Sequence, residues 1–217
     1  MNEINILSVD FDWIMEPSIR FYDEFAYGTR PLDEFLKESP GVTVKPDFKK
    51  YERLAVYLRN VAATIPEPMH IAFFDDHEMI VNCINDIWKI GDKPYNIYNI
   101  DHHHDCGYGV QTLQDIDNQG LVCGNWVAYC DKLRNYTWIN NKNSQENIID
   151  EVFKRFHKYQ HTHDIGVIDF VKFDYVFFCL SPGWTPGEYF PLYDVIHFNI
   201  EKSYEGTNTN EEQGKKK

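Results

Sequence analysis

The chain has 217 residues, 43% of them hydrophobic and 16% aromatic, enough to bury one good core and too apolar for a disordered chain. Its formal charge of −13 argues against a nucleic-acid partner, whose phosphates it would repel, and fits a basic partner or substrate. The start Met1-Asn2-Glu3-Ile4 lacks the features of a signal peptide, and no stretch approaches the ~20 apolar residues that span a bilayer. Five cysteines with no CxxC pair read as reduced thiols, so a cytoplasmic protein without membrane contact is expected.

In chain order, Ile4 to Val9 reads as a buried first strand running straight into Asp10-Phe11-Asp12, two carboxylates on one side of the chain. Pro17, Pro31, Pro40 and Pro46, with Gly28 and Gly41, then point to loops and short helices, a lid or substrate-facing excursion. Tyr51 to Ala63 places Leu54, Leu58, Val61 and Ala62 on one helical stripe, stopped by Pro66 and Pro68. Met69 to Phe74 is a second strand, followed by Asp75-Asp76-His77-Glu78. A helix from about His77 to Ile90 carries Ile80, Val81, Ile84, Ile87 and Trp88, and Gly91 ends it.

Tyr95 to Ile100 is a β-branched and aromatic strand that delivers Asp101-His102-His103-His104-Asp105. Alternation sends Asp101, His103 and Asp105 to one side and His102 and His104 to the other. Beyond a polar stretch over 111–119, Cys123-Gly124-Asn125 leads into a short helix bearing Trp126, Val127, Cys130 and Leu133. Residues 140–144 read as a loop, Gln145 to Tyr159 as an amphipathic helix, Asp174 to Leu180 as a strand, and Val195 to Ile200 as a last edge strand. His161 and His163 read as solvated side chains. The organisation expected is a single domain over 1–202 and a disordered tail over 203–217.

Strands alternating with helices predict an α/β fold, a three-layer sandwich around a mainly parallel sheet, with ligands beyond the carboxyl ends of the strands. Three strands end in metal-type ligands: Asp10 and Asp12, His77, and Asp101, His103 and Asp105. Four carboxylates with two imidazoles favour a hard ion such as Mn²⁺ over thiolate-bound zinc. Six ligands exceed what one tetrahedral ion uses, so two ions ~3.5–4 Å apart, sharing carboxylates and activating a water, are expected.

Asp101-His102-His103-His104-Asp105 resembles the Asp-x-His-x-Asp signature of the arginase/ureohydrolase superfamily. Asp76-His77 resembles that family's Gly-Gly-Asp-His segment, and Ser8-Val9-Asp10-Phe11-Asp12 resembles its Ser-x-Asp-x-Asp motif. In ordinary arginases the last of these follows the other two, whereas here it comes first, which a circular permutation of an arginase/deacetylase-like fold reconciles. The family's shuttle histidine would correspond to Cys123-Gly124, leaving that role unfilled or moved.

A compact, permuted relative is most similar to the peptide arginases, which convert arginine side chains of ribosomal precursor peptides to ornithine. The resemblance implies two Mn²⁺ ions, an arginine-containing precursor peptide as partner, and urea as the second product. It implies Asp105 as the proton donor to the departing amine, with His104 as a second catalytic candidate and Glu188 and Asn125 as substrate contacts. Three other readings stay open. One is a haloacid-dehalogenase-type phosphohydrolase with Asp10 as nucleophile and Mg²⁺ as cofactor. The others are a deacetylase-like amidohydrolase on the same metals, and a metal-stabilised binder of basic peptides.

Overall fold

The structure is a computed structural model and describes residues 3–25, 30–108, 112–144 and 157–214. The chain forms two compact units, Met1–Trp13 with Ala72–Ser181, and Ile14–Ile71 with Pro182–Lys217. The chain leaves the first unit after Trp13 and rejoins it at Ala72.

The strands are β1 (Ile4–Asp10), β2 (Met15–Pro17), β3 (Val44–Pro46), β4 (Ile71–Phe74), β5 (Tyr95–Asp101), β6 (Leu133–Asn140), β7 (Lys158–Thr162) and β8 (Tyr175–Cys179). Six of them make one sheet in the order β4-β8-β1-β5-β6-β7, and β1 runs parallel to both β8 and β5. Ile6 therefore pairs with Tyr175 on one side and Ile97 on the other. A strand so placed is covered on both faces, which is why β1 reads as a continuous apolar run.

The helix expected from His77 to Ile90 is shorter and composite. Helix α4 (Met79–Asn82) passes into a π-helical turn over Cys83–Ile87, closed by the Trp88 N–H donating to the Cys83 carbonyl at 2.7 Å. Ile80, Val81 and Ile84 from this segment pack with Ile6, Ile97 and Phe177 of the sheet and with Trp126, Tyr136 and Trp138.

A helix α5 (Leu113–Gln119) lies within the stretch read only as polar, started by a Thr112–Asp115 capping box. Trp126 begins a 3-10 turn, Trp126–Tyr129, and Leu133 belongs to β6 instead of a helix. The sequence hid β6 because Arg134, Asn135 and Thr137 interleave with its buried Tyr136 and Trp138. Most of the helix expected over 145–159 lies outside the described residues, and Lys158 and Tyr159 are strand β7.

In the second unit β2 pairs antiparallel with β3, beside α1 (Ile19–Glu24), α2 (Leu32–Glu38) and α3 (Phe48–Ala62). Asp47 caps α3 by accepting from the Lys49 and Lys50 N–H groups, and Leu54, Leu58, Val61 and Ala62 form its buried stripe as the spacing predicts. The edge strand expected over Val195–Ile200 is helix α6 (Phe190–Gly214), which also continues into the segment read as a tail. Tyr193, Ile196 and Ile200 are buried while Val195 and Phe198 are half exposed, so helical periodicity overrides the local β propensity. Among the described residues no helix is long and apolar enough to cross a membrane.

Candidate metal centre

All six side chains expected to hold metal converge at the carboxyl ends of β1, β5 and β4. Register explains part of this. Val9 pairs with Ile100, so Asp10 and Asp101, one residue on, end adjacent strands, with Cys179 and Asn140 as their outer neighbours. His77 arrives from the turn after β4, where Asp75 and Asp76 stay exposed and only the imidazole is buried.

The contacts divide into two overlapping groups. His77 Nδ1 lies 3.1 Å from Asp101 Oδ2, 3.1 Å from Asp105 Oδ2 and 3.3 Å from Asp10 Oδ2. His103 Nδ1 lies 2.9 Å from Asp12 Oδ2 and 3.7 Å from Asp101 Oδ1. Asp101 belongs to both. The other Asp10 oxygen, Oδ1, accepts the Asp12 backbone N–H at 3.0 Å.

Two atoms test whether these residues suit cations. His77 Nδ1 and Asp12 Oδ2 are buried and, among the described residues, have no partner in hydrogen-bonding geometry despite the close oxygens and nitrogens around them. Such atoms are rare because desolvation without a partner is costly. In two groups, Asp12 with Asp101 and His103, and His77 with Asp101 and Asp105, carboxylate oxygens and imidazole nitrogens lie within 4.8 Å of one another, and oxygen and imidazole donors suit a hard divalent ion.

The electrostatics follow from the crowding of four carboxylates. Burial, reinforced by the charge of Asp10, pushes Asp12 up to about 7. Burial and the neighbouring Asp101 push Asp105 well above the carboxylate range. Burial also opposes charge on His103, yet the adjacent Asp12 holds its imidazolium up to about 9. For Asp101 the penalty of burial is outweighed by His77 and His103, which keep it ionised. Without cations the cluster retains protons that metal binding displaces.

The supporting residues are ones the motifs only partly reveal. Ser8 Oγ lies 2.7 Å from His77 Nε2. With the Nε2–H donating to that hydroxyl, Nδ1 is left as the lone-pair nitrogen facing the acids. Ser181 Oγ donates to Asp10 Oδ2, Trp126 Nε1 donates to Asp105 Oδ2 at 2.6 Å, and Asn99 Nδ2 donates to Asp101 Oδ2 at 3.0 Å. Asp105 and Ser181 are two of only three described non-glycine residues at positive φ (51° and 49°). Strain of this kind, held in place by packing, concentrates at functional sites. Positive φ at Asp105 also ends the extended alternation assumed for 101–105. The buried Cys179 thiol groups with Asp10 and His77 as a third possible donor set that sequence reading did not include.

The remaining site candidates fall elsewhere. His104 is fully buried. Its ring stacks on Tyr108 at 4.2 Å and its Nδ1 accepts the Cys106 N–H at 3.0 Å, so it braces the loop. Asn125 is also committed locally. Its Oδ1 accepts from Val122 N–H at 2.9 Å, and its Nδ2 donates to the Gly120 carbonyl at 2.7 Å and to Gln119 Oε1. Glu188, the other substrate-contact candidate, is exposed on a 3-10 turn, Gly187–Tyr189, of the second unit. No family model matches the chain, and neither a curated protein nor a solved structure matches it significantly.

Proposed function

We propose that the protein is a binuclear manganese hydrolase, a permuted arginase-like enzyme that releases urea from arginine side chains of a peptide. One observation carries the reading: two acid–imidazole groups share Asp101, each with its ligand atoms within 4.8 Å of one another. His77, Asp10, Asp101 and Asp105 would hold one ion, and His103, Asp12 and Asp101 the other. A bound pair of divalent cations supplies a water acidified enough to attack at neutral pH and a Lewis acid for the developing charge. The chain's own part is positioning and proton transfer. Trp126 Nε1 donates to the Asp105 carboxyl and fixes its orientation, so Asp105 would be placed to carry a proton to the departing amine.

The formal charge of −13 suits a basic peptide, which it would attract over distance. A phosphohydrolase using Asp10 as nucleophile fits less well. Asp10 is engaged by Ser181 and lies beside His77, while Asp75 and Asp76, the candidate late acidic pair, are exposed. The test is mass spectrometry of an arginine-containing peptide incubated with the Mn²⁺-loaded protein. Guanidine hydrolysis lowers the mass by about 42 Da per site and releases urea. An unchanged peptide, or release of acetate or phosphate from the corresponding substrates, overturns the reading.

A further inference from the structure

The last residue of β6, Asn140, pairs in register with Asp101. In-register side chains of neighbouring strands share a face of the sheet. The residues before it on that face confirm the direction. Trp138 Nε1 donates to the Asp101 carbonyl at 3.1 Å, and the Tyr136 hydroxyl meets Asn99 Nδ2 at 3.0 Å and the His104 carbonyl at 2.9 Å. Asn140 continues this stripe to the sheet's end, one strand spacing from the ligand shared by both metal groups.

There its carboxamide is spent on nothing. Asn140 is 1% exposed, yet neither Oδ1 nor Nδ2 has a hydrogen-bond partner among the described residues. The neighbouring amides each use at least one end: Asn99 Nδ2 donates to Asp101 while its Oδ1 has no partner among the described residues, Asn125 is tied into its own loop, and Asn141 Nδ2 donates to the Trp13 carbonyl at 2.9 Å. A buried amide with both ends unused beside a cluster of titratable groups is a binding element awaiting a ligand that offers a donor and an acceptor.

We propose that Asn140 binds the planar group being cleaved, an inference that rests on the hydrolase reading above. A guanidinium is a donor only, and Oδ1 accepts one of its N–H groups. During hydrolysis water adds its oxygen to the guanidinium carbon, the bond from that carbon to the side-chain nitrogen breaks, and both water protons end on the departing amine. Neutral urea leaves, and Nδ2 donates to the oxygen it has gained. One amide thereby serves substrate and product, which neither an ammonium nor a carboxylate could do. Asparagine also adds no charge where four carboxylates already offset two divalent cations.

The experiment compares Asn140→Ala and the isosteric Asn140→Asp with wild type, all Mn²⁺-loaded, using acetylarginine amide. The expected result is unchanged manganese content with kcat/KM for urea release lower by roughly 10- to 100-fold in Asn140→Ala, the loss of one hydrogen bond to a charged group, and lower also in Asn140→Asp, which keeps the acceptor and loses the donor. Because Asn140 has no side-chain hydrogen bond among the described residues, Asn140→Ala is also expected to unfold no earlier than wild type, unlike a residue holding the fold together. A kcat/KM within twofold of wild type at equal manganese content overturns the assignment. If the wild type turns over no arginine derivative, the hydrolase reading itself fails. Equilibrium binding of the same amide then decides Asn140: weaker binding by Asn140→Ala supports it, and equal binding or none by either protein overturns it.

Discussion

Replacing Asp101 with asparagine distinguishes a ligand shared by two ions from an ordinary one. In the carboxylate, Oδ1 accepts the His103 N–H at 2.7 Å and Oδ2 accepts Asn99 Nδ2 at 3.0 Å. An amide turned either way sets its own NH₂ against one of these donors, so a buried donor loses its partner at a cost of about 1–3 kcal/mol. The effect on metal is larger. With manganese at about a hundredfold its Kd, each ion contributes about 2.7 kcal/mol to folding. For a chain of this size that is roughly 5–10 °C of Tm per ion. Thermal unfolding with and without Mn²⁺, together with manganese content by mass spectrometry, reads the result. Wild type should hold two ions, Asp12→Asn one, and Asp101→Asn none, with no rise in Tm on adding metal. An Asp101→Asn protein that keeps one tightly held ion and half the rise refutes the shared-ligand geometry.

The protons held by the empty cluster set a pH dependence. Asp12, raised to about 7, and His103, raised to about 9, each favour the folded state below their ordinary values of 3.8 and 6.5 and lose that contribution as pH rises through the raised ones. Protein treated with EDTA should therefore fall in Tm from pH 6 to pH 9, while the increment on adding Mn²⁺ grows; a pH-independent increment contradicts the assigned proton holders. Ser181→Ala removes the hydroxyl that orients Asp10 and should weaken manganese binding by about 10- to 100-fold in a metal titration, as losses of such partners do elsewhere. Trp126→Phe removes the N–H bonded to Asp105 and should lower kcat with little change in KM, whereas an unchanged kcat would show that Asp105 needs no such support.

The identity of the metal-type residues was legible because their spacing is local. Two carboxylates two apart after an apolar strand, and Asp, His, Asp alternating after another, must project together in an extended chain. The buried central strands were legible for the same reason, as were the buried face of α3 and the acids after β4. Where polar residues interleave with buried aromatics, as in β6, or dominate, as in β7, periodicity carried no strand signal. At Val195–Ile200 a short β-branched run agreed with the wrong element, and only burial of Tyr193, Ile196 and Ile200 decided for helix.

The amino-acid sequence by itself determined which side chains could hold metal and that strand ends would carry them. Tertiary structure alone decided how they are grouped. Asp10 and Asp101 are neighbours because β1 lies between β8 and β5, a pairing of segments some ninety residues apart that no local pattern encodes. The same long-range pairing sets Asn140 beside Asp101, where its amide has no partner among the described residues. Periodicity reports only which way a residue faces within its own element, whereas strand order reflects the packing of all the elements at once.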